Sequence, residues 1–184
     1  MRNLSPFLIF FILLLTACEK DKSSTNLLNY DSDNVTAPEF LPGDYEMAAR
    51  FTTSETGAFQ GQFLEEVQVY LVERPSRTEI VIYDEGTNSS PGAILHSQVV
   101  STEVRPNSWN TILLDTPIEI QNKDLWISFK VRHRDPYGTV GCDIGPANDN
   151  GDKLFTTADG WTTLRGFTNQ GININWNIRG VLGD

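Results

Sequence analysis

The chain has 184 residues and a formal net charge of −10, with 24 Asp and Glu against 14 Lys and Arg. Gripping a phosphate backbone takes clustered Lys and Arg, and the densest basic run, Lys130-Val131-Arg132-His133-Arg134, is only a short alternation along one strand; nucleic acid is therefore not an expected partner. The two cysteines, Cys18 and Cys142, are too few for a disulfide framework.

At the N-terminus, Arg2 precedes an apolar run from Phe7 to Leu15 that closes on Thr16-Ala17-Cys18, the three-part layout of an export signal. The run falls short of the ~20 apolar residues that cross a bilayer, and Glu19-Lys20-Asp21-Lys22 follows at once. Residues 1–17 thus read as a cleaved signal peptide. Leu15-Thr16-Ala17-Cys18 resembles the bacterial lipoprotein box, which implies that Cys18 is lipidated with diacylglycerol and a palmitate-type chain, tying the mature protein to a membrane. At about 0.8 kcal/mol per buried CH₂, two or three such chains hold durably where one does not. The charged tetrad behind Cys18 is similar to the export tag of Bacteroidetes-type surface lipoproteins, although Lys22 interrupts the acidic pair. That similarity implies an outer-membrane lipoprotein facing the cell exterior; a solvated tether is the competing reading of the same charges. Removal of residues 1–17 takes away only Arg2 and leaves 167 residues at about −11.

Residues 18–43 carry Ser, Thr, Asn, Asp and two prolines without period, as a flexible tether does, so a single folded domain is expected over 44–184. From Tyr45 onward apolar residues recur at period two. Val67, Val69 and Leu71 alternate with Gln68, Tyr70 and Val72. Ile80 and Ile82 follow, and Leu125, Ile127, Phe129 and Val131 alternate with Trp126, Ser128, Lys130 and Arg132. Near the C-terminus Ile172, Ile174, Trp176 and Ile178 should share one face, with Asn173, Asn175, Asn177 and Arg179 on the other. Turn clusters such as Arg105-Pro106-Asn107-Ser108, Asp135-Pro136-Tyr137-Gly138 and Asp159-Gly160 separate the runs. Nine or ten short strands without a convincing helix predict an all-β, antiparallel β-sandwich, jelly-roll-like.

The segments "ARF", "LEEVQVYL", "TEIVIYDEG", "SPGAILHSQVV", "SWNTILLDTPIEI", "KDLWISFKV", "VGCDIGPA", "GWTTL" and "INWNIRGVL" together resemble a β-sandwich module repeated in Bacteroidetes surface proteins. Such modules accompany the adhesin regions of gingipain-type peptidases. The resemblance spans roughly residues 45 to 182 and implies a non-catalytic, adhesin-like unit.

For catalysis the residues offer little. His96 and His133 both lie in strand patterns, no Gly-x-Ser-x-Gly elbow is present, and no nucleophile stands beside a base, so an enzyme is not expected. Cys142, next to Asp143 in a strand-like segment, reads as a small, inert core residue. Asn148-Asp149-Asn150-Gly151-Asp152 resembles a calcium loop superficially, but EF-hand spacing puts Pro146 where the first acid belongs. Asp149, Asn150 and Asp152 stand as a structural calcium candidate against plain turn chemistry; no other metal or cofactor is expected. Of four tryptophans, Trp176 shares the parity of the core. Trp126, of opposite parity to Leu125 and Ile127, and Trp161, behind Asp159-Gly160, are candidates for exposed rings. The candidate binding set is Trp126, Tyr137, Asn148, Asp149, Asp152 and Trp161. It would serve a surface module that holds an extracellular glycan or protein. The alternative is a structural or assembly subunit of an outer-membrane complex.

Overall fold

The computed structural model describes residues 26–183, so the signal peptide, Cys18 and the charged tetrad lie outside the described residues. Alternation becomes architecture where it was most regular. β3 (Gly43–Phe51), β4 (Phe63–Leu71), β5 (Arg77–Tyr83) and β8 (Leu125–His133) each send every second side chain inward. Met47, Phe51, Val67, Val69, Leu71, Ile80, Ile82, Ile127 and Phe129 are all fully buried there. The other strands are β1 (Leu27–Leu28), β2 (Glu39–Phe40), β6 (Ile94–Val99), β7 (Ser108–Glu119), β9 (Tyr137–Gly138), β10 (Lys153–Thr156), β11 (Gly160–Thr163) and β12 (Ile178–Gly183). Among the described residues two helical turns, α1 (Thr53–Thr56) and α2 (Leu164–Phe167), and a 3₁₀ turn over Gly57–Phe59 interrupt them.

All pairings are antiparallel. The four-stranded sheet has order β1-β12-β4-β7 and the six-stranded sheet β11-β10-β3-β8-β5-β6. With the β10–β11 hairpin and the small β2–β9 ribbon set aside, the eight remaining strands numbered along the chain read 1-8-3-6 in one sheet and 2-7-4-5 in the other. That interleaving of two Greek keys is the jelly roll, and the expected fold stands. Pro117 sits in β7, an edge strand, where a missing N–H interrupts no inner ladder. Gly180, on the inner face of β12, lets the sheets close: a Cβ there would come within 2.6 Å of Ile127 Cδ1 and 2.8 Å of Leu64 Cδ1.

Two expectations need correction. The domain does not begin at Asp44, because residues 26–43 are woven into it. β1 pairs with β12, Leu28 and Phe40 are buried, and the Tyr30 ring stacks on Phe51 at 5.1 Å. Asp31, also buried, accepts from Arg179 Nε at 2.9 Å and from Asn177 Nδ2 at 2.7 Å. Side-chain hydrogen bonds and a few apolar side chains without regular alternation hold this strap, so period-two reading passes over it. The second correction follows from the first. Residues 172–177 are irregular, and Asn175 and Asn177 of the expected polar face are buried, one bonded to Asp143 and the other beneath the strap.

Candidate functional site

The outer face of the six-stranded sheet is a grid fixed by register. Asp44, Arg132 and Arg77 lie in one row across β3, β8 and β5; Glu46, Lys130 and Glu79 form the next; Ala48, Ser128 and Val81 follow, and Arg50, Trp126 and Tyr83 complete it. Phe155 of β10 is the register partner of Glu46 on the other side. The first two rows and Phe155 line a cleft of about 190 Å³.

Charges in the cleft are paired. Arg132 holds Asp44 through two hydrogen bonds of 2.7 and 3.1 Å, and Arg77 Nη2 lies 3.4 Å from Glu79. Glu46 is the buried member. Tyr83 Oη donates to its Oε1 at 2.7 Å, Ser128 Oγ donates to the same atom, and Lys130 Nζ lies 3.7 Å from Oε2. Burial pushes the Glu46 carboxyl above the usual range, against the lowering effect of Ser128, Tyr83 and Lys130. The Tyr83 phenol is raised in turn, by its own burial and by Glu46.

Beyond Glu46 the face turns aromatic. Trp161 of β11 meets Trp126 edge-on at 5.5 Å, Tyr83 at 6.3 Å and Phe155 at 5.6 Å. Trp161 and Phe155 remain half-exposed, whereas Trp126 has no exposure at all. This corrects the candidate status of Trp126. Its parity is outward as expected, but Trp161 leans on it and Lys153 Nζ lies 5.8 Å above its ring while donating to the Asn88 carbonyl at 2.8 Å. A tryptophan roofed on the outer face cannot stack on a ligand.

The other candidates are dispersed. Tyr137 stacks on the buried His133 at 4.8 Å, at the Gly43 end of β3, while Asn148 to Asp152 lie at its Arg50 end. In that loop Arg165 binds Asp152 at 2.9 Å and Asp149 at 3.2 Å, and Arg50 donates to Asn150 Oδ1 at 3.1 Å. Asp152 is completely buried under its arginine. The oxygens of the calcium candidate hold guanidinium groups here, and among the described residues no group of three or more His, Cys, Asp or Glu converges as a metal cluster. Of the predicted set Trp126 and Trp161 come together on the sheet face, and Asp149 and Asp152 come together with the Asn148 carbonyl around Arg165, while Tyr137 stands apart from both groups.

Neither histidine opens onto the cleft, and the Thr139 hydroxyl that His133 contacts is buried with it. His96 contacts Gln98, and His133 contacts the Thr139 hydroxyl. Cys142 is buried, with its thiol pushed up to about 12 by burial first and by Asp143 second, as an inert core residue requires. The cleft residues Glu46, Glu79, Arg77, Lys130 and Phe155 escaped sequence reading. The one available signal was Glu46 itself, an acid at an outward position next to the apolar run Met47-Ala48-Ala49.

No protein-family model and no curated protein matches the chain. Two solved structures do. A point variant of the Clostridial cysteine protease Cwp84 after propeptide cleavage aligns over 85% of this chain and 40% of its own, with TM-score 0.60 and 10% identity. The cysteine protease and lectin-like domains of Cwp84, a surface layer associated protein of Clostridium difficile, align over 83% and 36%, with TM-score 0.55 and 11% identity. The chain thus spans well under half of either structure, and at these identities the likeness is one of fold.

Proposed function

We propose that this chain is a non-catalytic binding module of the bacterial cell surface, lipid-anchored at Cys18, that holds an extracellular glycan or protein. The observation that carries the reading is the open part of the outer face of the six-stranded sheet, where a half-exposed Trp161 and Phe155 adjoin a cleft of paired charges. Flat apolar rings beside hydrogen-bonding groups are what sites for amphipathic ligands are made of. The fold likeness to structures described as a surface layer associated protein with a lectin-like domain supports the same reading. So does the resemblance of its segments to modules that accompany surface peptidases.

A second reading, an assembly subunit of an outer-membrane complex, is favoured by one feature. Ile94 and Val99 on edge strand β6 and Leu113 on edge strand β7 are all more than half exposed, which suits a protein neighbour. Binding of the mature, detergent-solubilised protein to immobilised polysaccharides and extracellular matrix proteins tests the first reading. Saturable binding weakened in Trp161→Ala is expected. Silence across the panel, with partner proteins recovered from native membranes instead, would favour the second.

A further inference from the structure

Hydrogen-bonding capacity in the cleft is unevenly used. Glu46 commits only Oε1 to the sheet, since both Tyr83 and Ser128 donate there. Its Oε2 faces Lys130 Nζ across 3.7 Å, close enough for attraction and too far for a hydrogen bond. The Lys130 ammonium, on a side chain 37% exposed, makes no side-chain hydrogen bond among the described residues and lies 6.0 Å over the Tyr83 ring. An acceptor with free lone pairs and an ammonium with three donors, held apart in this way, are matched by a group that donates and accepts at once, which is a hydroxyl.

The remaining charges say what the ligand is not. Asp44 with Arg132, and Glu79 with Arg77, are already each other's partners, so the acids and bases of the cleft cancel. A charged ligand would have to separate one of these pairs and would regain little more than it broke. A neutral polyol donates to the acid and accepts from the base of one pair while leaving the two together. Phe155 adds a half-exposed ring beside Glu46, an apolar surface for the C–H face of a sugar. The cleft's volume, about 190 Å³ against roughly 300–1,000 Å³ for drug-sized sites, suits one unit of a longer chain.

We propose that this cleft binds a single unit of a neutral, hydroxyl-rich glycan, with Glu46 and Lys130 bridged by one sugar hydroxyl, Glu79 and Arg77 by another, and Phe155 under the ring. This assignment rests on the reading of the domain as a surface binding module. The test is calorimetric titration of the mature, detergent-solubilised protein with mannan, dextran, laminarin and xylan, and in parallel with heparin, at low and high salt. Binding to at least one neutral polymer with little salt dependence is expected. Phe155→Ala and Arg77→Gln should each weaken it by about tenfold, and Thr111→Ala on the opposite sheet should leave it unchanged. Arg77 is more than half exposed, so its variant reports on binding even if Phe155→Ala fails to fold. Neutral binding that survives Arg77→Gln and Phe155→Ala undiminished would overturn the assignment. So would silence from every neutral polymer. Binding to heparin or to matrix proteins alone would overturn it while leaving the broader surface-module reading standing, and silence from all ligands would remove both.

Discussion

Glu46 is an acid that its sheet almost hides. Its folded-state pKa is raised, chiefly by burial, so between the ordinary glutamate range and that raised value the native chain holds a proton that the unfolded chain has lost. Stability from this group is therefore complete below the unfolded pKa and falls as pH rises through the folded one. Glu46→Gln keeps the shape and removes the titration. Its urea midpoint should exceed that of the native chain at neutral pH and converge on it in acid; a constant offset at all pH values would contradict the assignment. Single residues were legible in sequence only as far as parity goes. Parity placed Trp176 inward and Trp126 outward correctly, but whether an outward side chain meets water depends on what crosses above it, and Trp161 is thirty-five positions away along the chain. The Glu46–Lys130–Glu79 row is invisible for the same reason, because three strands distant in sequence build it and only their register aligns them.

Among the elements, the strap over residues 26–42 behaves as a belt buckled by Asp31. Arg179 and Asn177 both donate to its buried carboxylate, and Arg179 in turn lies 4.0 Å from the Trp109 ring. Asp31→Ala strands a half-buried guanidinium and a buried amide together, so about 3 kcal/mol of destabilisation is expected in urea unfolding, well beyond what an exposed pair gives. A loss of a few tenths would make the strap an ornament. Strands with a clean apolar beat, such as β4 and β8, are recognisable from composition alone. A segment rich in Asn, Asp and Ser looks like a tether whether it trails in solvent or, as here, exchanges side-chain hydrogen bonds with the last strand.

For the whole molecule, the jelly roll was legible because turn clusters at regular spacing and alternating runs leave few other ways to close two sheets. Of the added β10–β11 hairpin only the Asp159-Gly160 turn and Trp161 were legible, since four-residue strands carry too little pattern, yet it supplies both half-exposed aromatic rings beside the cleft. The proposed lipid anchor is tested at this scale as well. Cys18→Ala should leave an unprocessed or soluble protein that no longer partitions with membranes in detergent phase separation. Unchanged partitioning would refute the lipoprotein reading.

Asn26, where the strap begins, accepts from the Leu182 N–H and donates to Gln62, at the end of the sandwich carrying α1 and the start of β8. Asp44 and Arg132 sit at the far ends of β3 and β8. Seven residues lie between Cys18 and Asn26, so fully extended chain would put the two at most about 28 Å apart. If Cys18 carries the proposed lipid, the module would stand close to the bilayer with its foot down and its charged cleft at the top, and a ligand in that cleft would be held away from the membrane, at a height set by the length of a strand.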